Sequence, residues 1–337
     1  MPMVPPDKAP TIIDVAHAAG VSKSLVSLAL GDKPGVKDET RQRILATAQH
    51  LGYRRNQWAS ALVGAPTRTI GVALTDLSNA YYTDVATAVE EQAERSNYGV
   101  VLVHGRRNTE RLEAQLERLV ALRVDGIVLV GSWISTQHLA RIADHVPIVV
   151  VGRLPEKVPG VDTVRNDDEL GARLAVEHLV QRGHRRICHL TRSDRPASIG
   201  RRDGYREAMG AAGLEAEIRI IGPERWADQW DGVLKAMATD PNAPTAVFAS
   251  NDQAAHRVLV SALDAGVNVP DHLAIIGYDN STLSTATRPD ITTIDQPRVE
   301  MGEQALDLLL SRMTNKSAAQ RHLVATPTLL PRGSTAS

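Results

Sequence analysis

Between Thr11 and Ser27 the chain reads Thr-Ile-Ile-Asp-Val-Ala-His-Ala-Ala-Gly-Val-Ser-Lys-Ser-Leu-Val-Ser, and Ser22, Lys23, Ser24 and Ser27 gather its polar side chains near one point. Lysine can donate to guanine, while serine contacts bases or phosphate with little discrimination. The flanking residues supply the elements that would hold these side chains. Thr11 is a good helix N-cap, and Asp14 three positions on resembles a capping box. Ile12, Val15, Ala16 and Ala19 then share one helical face, and Gly20 ends the helix. Ser22 caps a second helix with Leu25, Val26, Ala29 and Leu30 inward. A third is predicted from about Asp38 to Leu51, with Ile44, Leu45, Ala48 and Leu51 inward. Two short helices joined through a glycine form the helix-turn-helix pattern, whose second helix enters the major groove. An ordinary small helical hairpin has the same spacing.

Beyond Thr69 the texture changes. Apolar, β-rich runs at 69–75, 100–104, 125–131, 147–152, 162–166, 186–191, 245–250 and 273–278 alternate with helical stretches. That rhythm predicts parallel sheets in two doubly wound lobes, which bind ligands at the carboxyl ends of their strands. The join at 63–68 contains Gly64 and Pro66 and lacks periodicity, so it is expected to be a linker. Catalytic signatures are missing: there is no Walker A loop, G-x-S-x-G elbow, H-E-x-x-H or G-x-G-x-x-G. The histidines are scattered. Cys188, the only cysteine, lies in an apolar strand, where a buried inert thiol is the default, and it excludes an internal disulfide. No enzyme activity, cofactor or metal is expected.

The 337 residues carry a net charge of −1. Up to Pro66 there are eight basic and five acidic residues, an excess of +3, so the remainder carries −4. A basic head on an acidic body suits a head that meets phosphate. The N-terminus lacks the apolar core of a signal peptide, and no run of about 18 apolar residues occurs. A cytoplasmic protein without a membrane span is expected.

With these elements in order, the sequence resembles the LacI/GalR family of bacterial regulators. The matching head residues are Thr11, Ile12, Asp14, Val15, Ala16, Ala19 to Ser22, Val26 and Ser27, followed by Thr40-Arg41, Arg43-Ile44-Leu45, Leu51-Gly52-Tyr53 and Asn56. In the body they include Arg68 to Val72, Asp76-Leu77-Ser78-Asn79, Gly183-His184-Arg185, Gly204-Tyr205, Asn251-Asp252, Ile276 to Asn280 and Arg332-Gly333-Ser334.

The resemblance implies an α/β protein: a small all-α helix-turn-helix head (1–62) with a hinge helix at about 56–62, and a two-lobed body resembling periplasmic sugar-binding proteins (69–337). The lobes would comprise about 69–165 with 296–321, and about 166–295 with 322–333. It implies a homodimer on a pseudo-palindromic DNA operator. Thr11, Ser22, Lys23, Ser24, Ser27, Leu28, Asn56, Ala59 and Leu62 would meet DNA, with Leu62 as an apolar wedge in the minor groove. It also implies a sugar effector held by Asn79, Tyr81, Arg201, Asn251, Asp279 and Gln296, with Trp226 or Trp230 covering a ring face.

Three departures stand out. Leu25 and Leu28 occupy positions where relatives commonly carry Thr and Arg, and Arg55 stands where many have Pro. Leu28 cannot donate a hydrogen bond but can touch a thymine methyl. The alternatives to a regulator are a solute-binding protein with a vestigial head, or an enzyme on a doubly wound scaffold.

Overall fold

The computed structural model describes residues 10–53, 66–131, 134–191, 193–222, 230, 232–234 and 240–336. They fall into two compact units, Met1–Thr67 and Arg68–Ser337.

Among the described residues of the first unit there are three helices: α1 (Ile12–Ala19), α2 (Lys23–Leu30) and α3 (Asp38–His50). Its ends form as the local chemistry dictates. Thr11 and Asp14 make the reciprocal capping box, and Gly20 closes α1 at φ +66°, a conformation that side chains with a Cβ resist. Ser22 Oγ accepts from Leu25 N to start α2. Val15, Ala19, Val26, Ala29, Ile44 and Ala48 fill the core. The expected inward face of α3 needs one correction. Ile44 and Ala48, one turn apart, are buried, but Leu45 lies about 100° round the helix and is 44% exposed.

The body begins with β1 (Thr69–Leu74), α4 (Ala80–Arg95), β2 (Gly99–His104), α5 (Thr109–Ala121), β3 (Gly126–Val130), α6 (Thr136–His145), β4 (Ile148–Val151) and β5 (Val161–Asn166). It continues with α7 (Asp168–Gln181), β6 (Ile187–Leu190), α8 (Pro196–Ala211), β7 (Arg219–Ile221), β8 (Ala246–Ala249), α9 (Asp252–Asp264), β9 (Ala274–Tyr278), β10 (Thr292–Asp295), α10 (Arg298–Thr314), β11 (His322–Ala325) and β12 (Thr328–Leu330). Two six-stranded sheets result, in the orders β11-β5-β4-β3-β1-β2 and β12-β10-β9-β8-β6-β7. All pairings are parallel except β10 with β12.

Strands such as Thr69–Leu74 are buried along their whole length, because helices cover both faces of each sheet. In the first lobe α4 and α10 pack on one face, and α5 and α6 on the other. In the second, α7 and α8 oppose α9.

The lobe boundaries differ from expectation at one crossing. His322–Ala325 pairs with β5 and completes the first sheet, so the last crossover lies between β11 and β12 rather than before 322. The chain therefore passes between lobes three times: after β5, after β10 and after β11.

Candidate functional site

In the head, α1 and α2 cross at 104°, within the roughly 90–120° range of a DNA-binding helix-turn-helix. Core contacts through Val26 and Ala29 fix the rotation of α2. Arg41 on α3 pins its far end by donating to Ala29 O at 3.0 Å and Lys33 O at 2.7 Å, and by pairing with Asp32. Ser22, Lys23, Ser24 and Ser27 are consequently exposed, with Leu28 half-buried beside them. The Thr11 hydroxyl is engaged by Asp14 Oδ2 at 2.7 Å, so Thr11 serves first as a cap. Asn56, Ala59 and Leu62 lie outside the described residues.

In the body, loops following the carboxyl ends of both sheets face each other across a cleft of about 140 Å3. A cavity of roughly 150 Å3 accommodates a molecule the size of benzene, so the space suits one small ring. Asn79, Tyr81, Arg201, Asn251, Asp279 and Gln296 all line it. Trp226 lies outside the described residues. Trp230 is corrected: it is 1% exposed and packs in the core of the second lobe beside Leu190, Ile221 and Val247. A large apolar ring facing a buried sheet is taken up by packing. Among the described residues, the aromatic ones that line the cleft are Tyr81 and Tyr82, whose rings meet edge to face at 5.4 Å.

Arg201 organises the floor. Its Nε donates to Asp168 Oδ1 at 2.9 Å, and its Nη1 donates to Ser250 O and lies 3.9 Å from Asp279 Oδ1. The guanidinium carbon sits 3.6 Å from the centroid of Tyr278. Gln296 Nε2 donates to Asp279 Oδ1 at 2.6 Å, and Asn166 Nδ2 donates to Tyr278 Oη at 2.7 Å. Burial pushes the Asp279 carboxyl up to about 7, with Arg201 pulling it back down. Burial likewise raises Asp168 against the pull of Arg201. Asp279 holds φ +106°, a conformation that costs energy for a residue with a Cβ and aims this carboxyl from just beyond β9. Asn79 and Asn251 cap α4 and α9, their Oδ1 atoms accepting from Tyr81 N and Ala254 N. What each can offer a ligand is its amide N–H pair. The cleft thus combines Asn and Arg donors with carboxylate acceptors and aromatic rings, which is chemistry for a small polyhydroxylated ring.

The sequence reading missed Thr75, Asn166, Asp168, Ser193 and Ser250, which also line the cleft. Thr75, Asn166 and Ser250 sit at the last residue of a parallel strand or the first beyond it, and Asp168 and Ser193 follow within three residues. The strand-end rule could therefore have found them.

Residues 11–56 match the family described as bacterial regulatory proteins, lacI family, and 176–335 match the periplasmic binding protein-like domain. The ribose operon repressor of Escherichia coli K12 is 32% identical over 329 residues, covering 96% of this chain and 99% of that protein. This chain belongs to the lacI family of regulators. It is therefore a DNA-binding regulator of transcription, an α/β protein with a helix-turn-helix head and a periplasmic-binding-protein-like body. Among solved structures, the lac repressor dimer bound to operator and the anti-inducer ONPF superposes with a TM-score of 0.85 at 25% identity, covering 98% of this chain and 100% of that one. A lacI-family regulator from Enterococcus faecium with bound ribose gives 0.69 at 27% identity, covering 80% and 98%. Among the described residues of this lacI-family chain, no single helix is long and apolar enough to cross a membrane.

Proposed function

We propose that the chain is a homodimeric repressor that reads a pseudo-palindromic operator and is controlled by a sugar bound between its lobes. Six residues expected to hold an effector, drawn from both lobes, line one cleft, and that observation carries the reading. Lys23, Ser24, Ser27 and Leu28 would face the major groove, with Ser22 and the start of α1 at Thr11 against phosphate. Asn56, Ala59 and Leu62 would form the hinge contacts in the minor groove. Asn79, Tyr81, Arg201, Asn251, Asp279 and Gln296, with Trp226, would hold the effector.

The ribose-bound E. faecium relative supports a sugar. The lac repressor dimer on its operator supports two-fold symmetric DNA recognition. On this reading the head is 1–62, the linker 63–68 and the effector-binding and dimerisation domain 69–337. The protein binds its ligand without turning it over, and works in the cytoplasm, where an operator is accessible.

Because three crossovers join the lobes, a ligand touching both changes their relative angle, and that angle sets how the two heads of a dimer are held. Such coupling is reciprocal: the factor by which effector alters operator affinity is the factor by which operator alters effector affinity. The test is selection of bound sites from a random DNA pool by the full chain at fixed salt, with and without a panel of sugars. A two-fold symmetric motif whose recovery depends on one sugar is the expected result. Sugar binding without any DNA enrichment would replace this reading with a solute-binding protein.

A further inference from the structure

The cleft carries more arginine than a neutral sugar requires. Arg107, Arg153, Arg195 and Arg201 line it against Asp76, Asp168 and Asp279. Two of these carboxyls, Asp168 and Asp279, are pushed toward their neutral forms by burial. Arg201 is held by Asp168, and Arg153 by Glu169. Arg107 and Arg195 also keep contacts within the protein, but a guanidinium has five N–H donors in a planar fork and can serve a carboxylate or phosphate as well.

These two arginines come from opposite lobes: Arg107 lies in the turn between β2 and α5, and Arg195 at the N-cap position of α8. Among the described residues no side chain caps α8, a 16-residue helix whose first-turn residues Ala197 and Ser198 face the cleft. Unsatisfied N–H groups and the helix dipole there favour negative charge. The Ser193 and Ser198 hydroxyls share a hydrogen bond of 2.7 Å at the same place, and both residues line the cleft.

A separate feature points to hydroxyls on the same ligand. Asn166 is 3% exposed and lines the cleft, and among the described residues its Oδ1 has no hydrogen-bond partner. A buried acceptor left unsatisfied is costly. A donor supplied by a ligand relieves that cost.

Resting on the reading of this cleft as the effector site, we propose that the effector is a sugar bearing one anionic group, a phosphate ester or a carboxylate. Arg195 and the start of α8 hold the anion from one lobe and Arg107 from the other, while Asn166 and Asp279 take the hydroxyls. The anion then bridges the lobes, so its charge contributes directly to closing them.

The experiment is calorimetric titration of the full chain with matched compounds: ribose and ribose 5-phosphate, glucose, glucose 6-phosphate and gluconate, and inorganic phosphate. One sugar acid is expected to bind at least about tenfold more tightly than its neutral parent, since a charge-assisted hydrogen bond is worth about that much. Inorganic phosphate is expected to bind far more weakly. The phosphate and carboxylate arms separate the two kinds of anion. Arg195→Gln and Arg107→Gln are each expected to reduce the acid's affinity about tenfold and the parent's less. Ligand-free melting curves check that each variant folds, and the two substitutions lie in different lobes, so either alone suffices.

The proposal is overturned if neutral parents bind as tightly as their acids, if no acid in the panel binds, or if both folded variants keep the preference. Operator selection on the same preparation separates the two levels. A symmetric operator combined with neutral-sugar preference removes only the anion, whereas loss of operator enrichment removes the regulator.

Discussion

Arg201 on α8 and Asp168 at the start of α7 form the most buried ion pair in the cleft, Nε to Oδ1 at 2.9 Å, with both side chains at most 10% exposed. Two charges in that setting are tolerated because each also has other partners: Arg201 reaches Ser250 O and the face of Tyr278, and Asp168 receives the Tyr278 hydroxyl. Removing one partner leaves the other charge buried and uncompensated. Asp168→Ala is therefore expected to cost about 3–5 kcal/mol of stability and to abolish effector binding, measured by denaturant unfolding and calorimetry. A loss below about 1 kcal/mol would mean that water screens the pair.

The distance between α7 and α8 depends on Gly204, one turn beyond Arg201. A Cβ there would lie 2.5 Å from Glu169 O and 2.8 Å from Glu169 Cα, main-chain atoms that cannot turn aside. Gly204→Ala is expected to push the helices apart at a cost of about 1–3 kcal/mol and to loosen the Arg201–Asp168 contact. Thermal unfolding would report the first effect. A raised effector Kd in the folded variant would report the second. Unchanged affinity would show that Arg201 keeps its place independently of helix spacing.

Asp279 gives the protein a pH dependence of definite sign. Its carboxyl is at about 7 in the fold and near 3.9 in an unfolded chain. Between those values the folded state binds more protons, so this group's contribution to stability falls as pH rises through the window. Asp252, pushed by burial to about 6, adds a slope of the same sign over a lower range. Asp279→Asn keeps an acceptor for Gln296 and removes the titration. Denaturant unfolding from pH 4 to 8 is expected to show a shallower decline for the variant, by at most about 1.4 kcal/mol per pH unit. Parallel curves would show that Asp279 stays ionised throughout.

What was legible in the sequence follows the range of the interactions concerned. Thr11 with Asp14, and Ser22 with Leu25, act over three residues, and their caps form as the local pattern predicts. Strands buried on both faces read as unbroken apolar runs, so the doubly wound texture was visible. Partners set by distant pairing were not. His322–Ala325 alternates exposed and half-buried residues before a buried Ala325, a pattern fitting the edge of either sheet, and only its pairing with β5 assigns it. Leu45 borders the buried stripe of α3, where 100° of rotation decides its exposure. Arg201 and Asp279 came with the family resemblance. Asp168, adjacent to Asp167 at a helix start, resembles an ordinary capping residue until the fold brings Arg201 to it across 33 positions.

On DNA, the exposed end of α2 separates two kinds of contact. Lys23 sits exposed in its first turn, and Leu28 is half-buried at its sixth position. If Lys23 meets phosphate, Lys23→Gln weakens binding about equally on all sequences and lowers the slope of log affinity against log salt by about one per head. If it reads a base, the slope is unchanged and the selected motif relaxes at one symmetric pair of positions. Leu28 can touch a thymine methyl but offers no donor, so Leu28→Arg is expected to move preference toward guanine at one base pair per half-site, by about 1–3 kcal/mol. Site selection with the three proteins at two salt concentrations measures both effects. An unchanged motif with Leu28→Arg would place residue 28 away from the base edges and leave Ser24 and Ser27 as the readers.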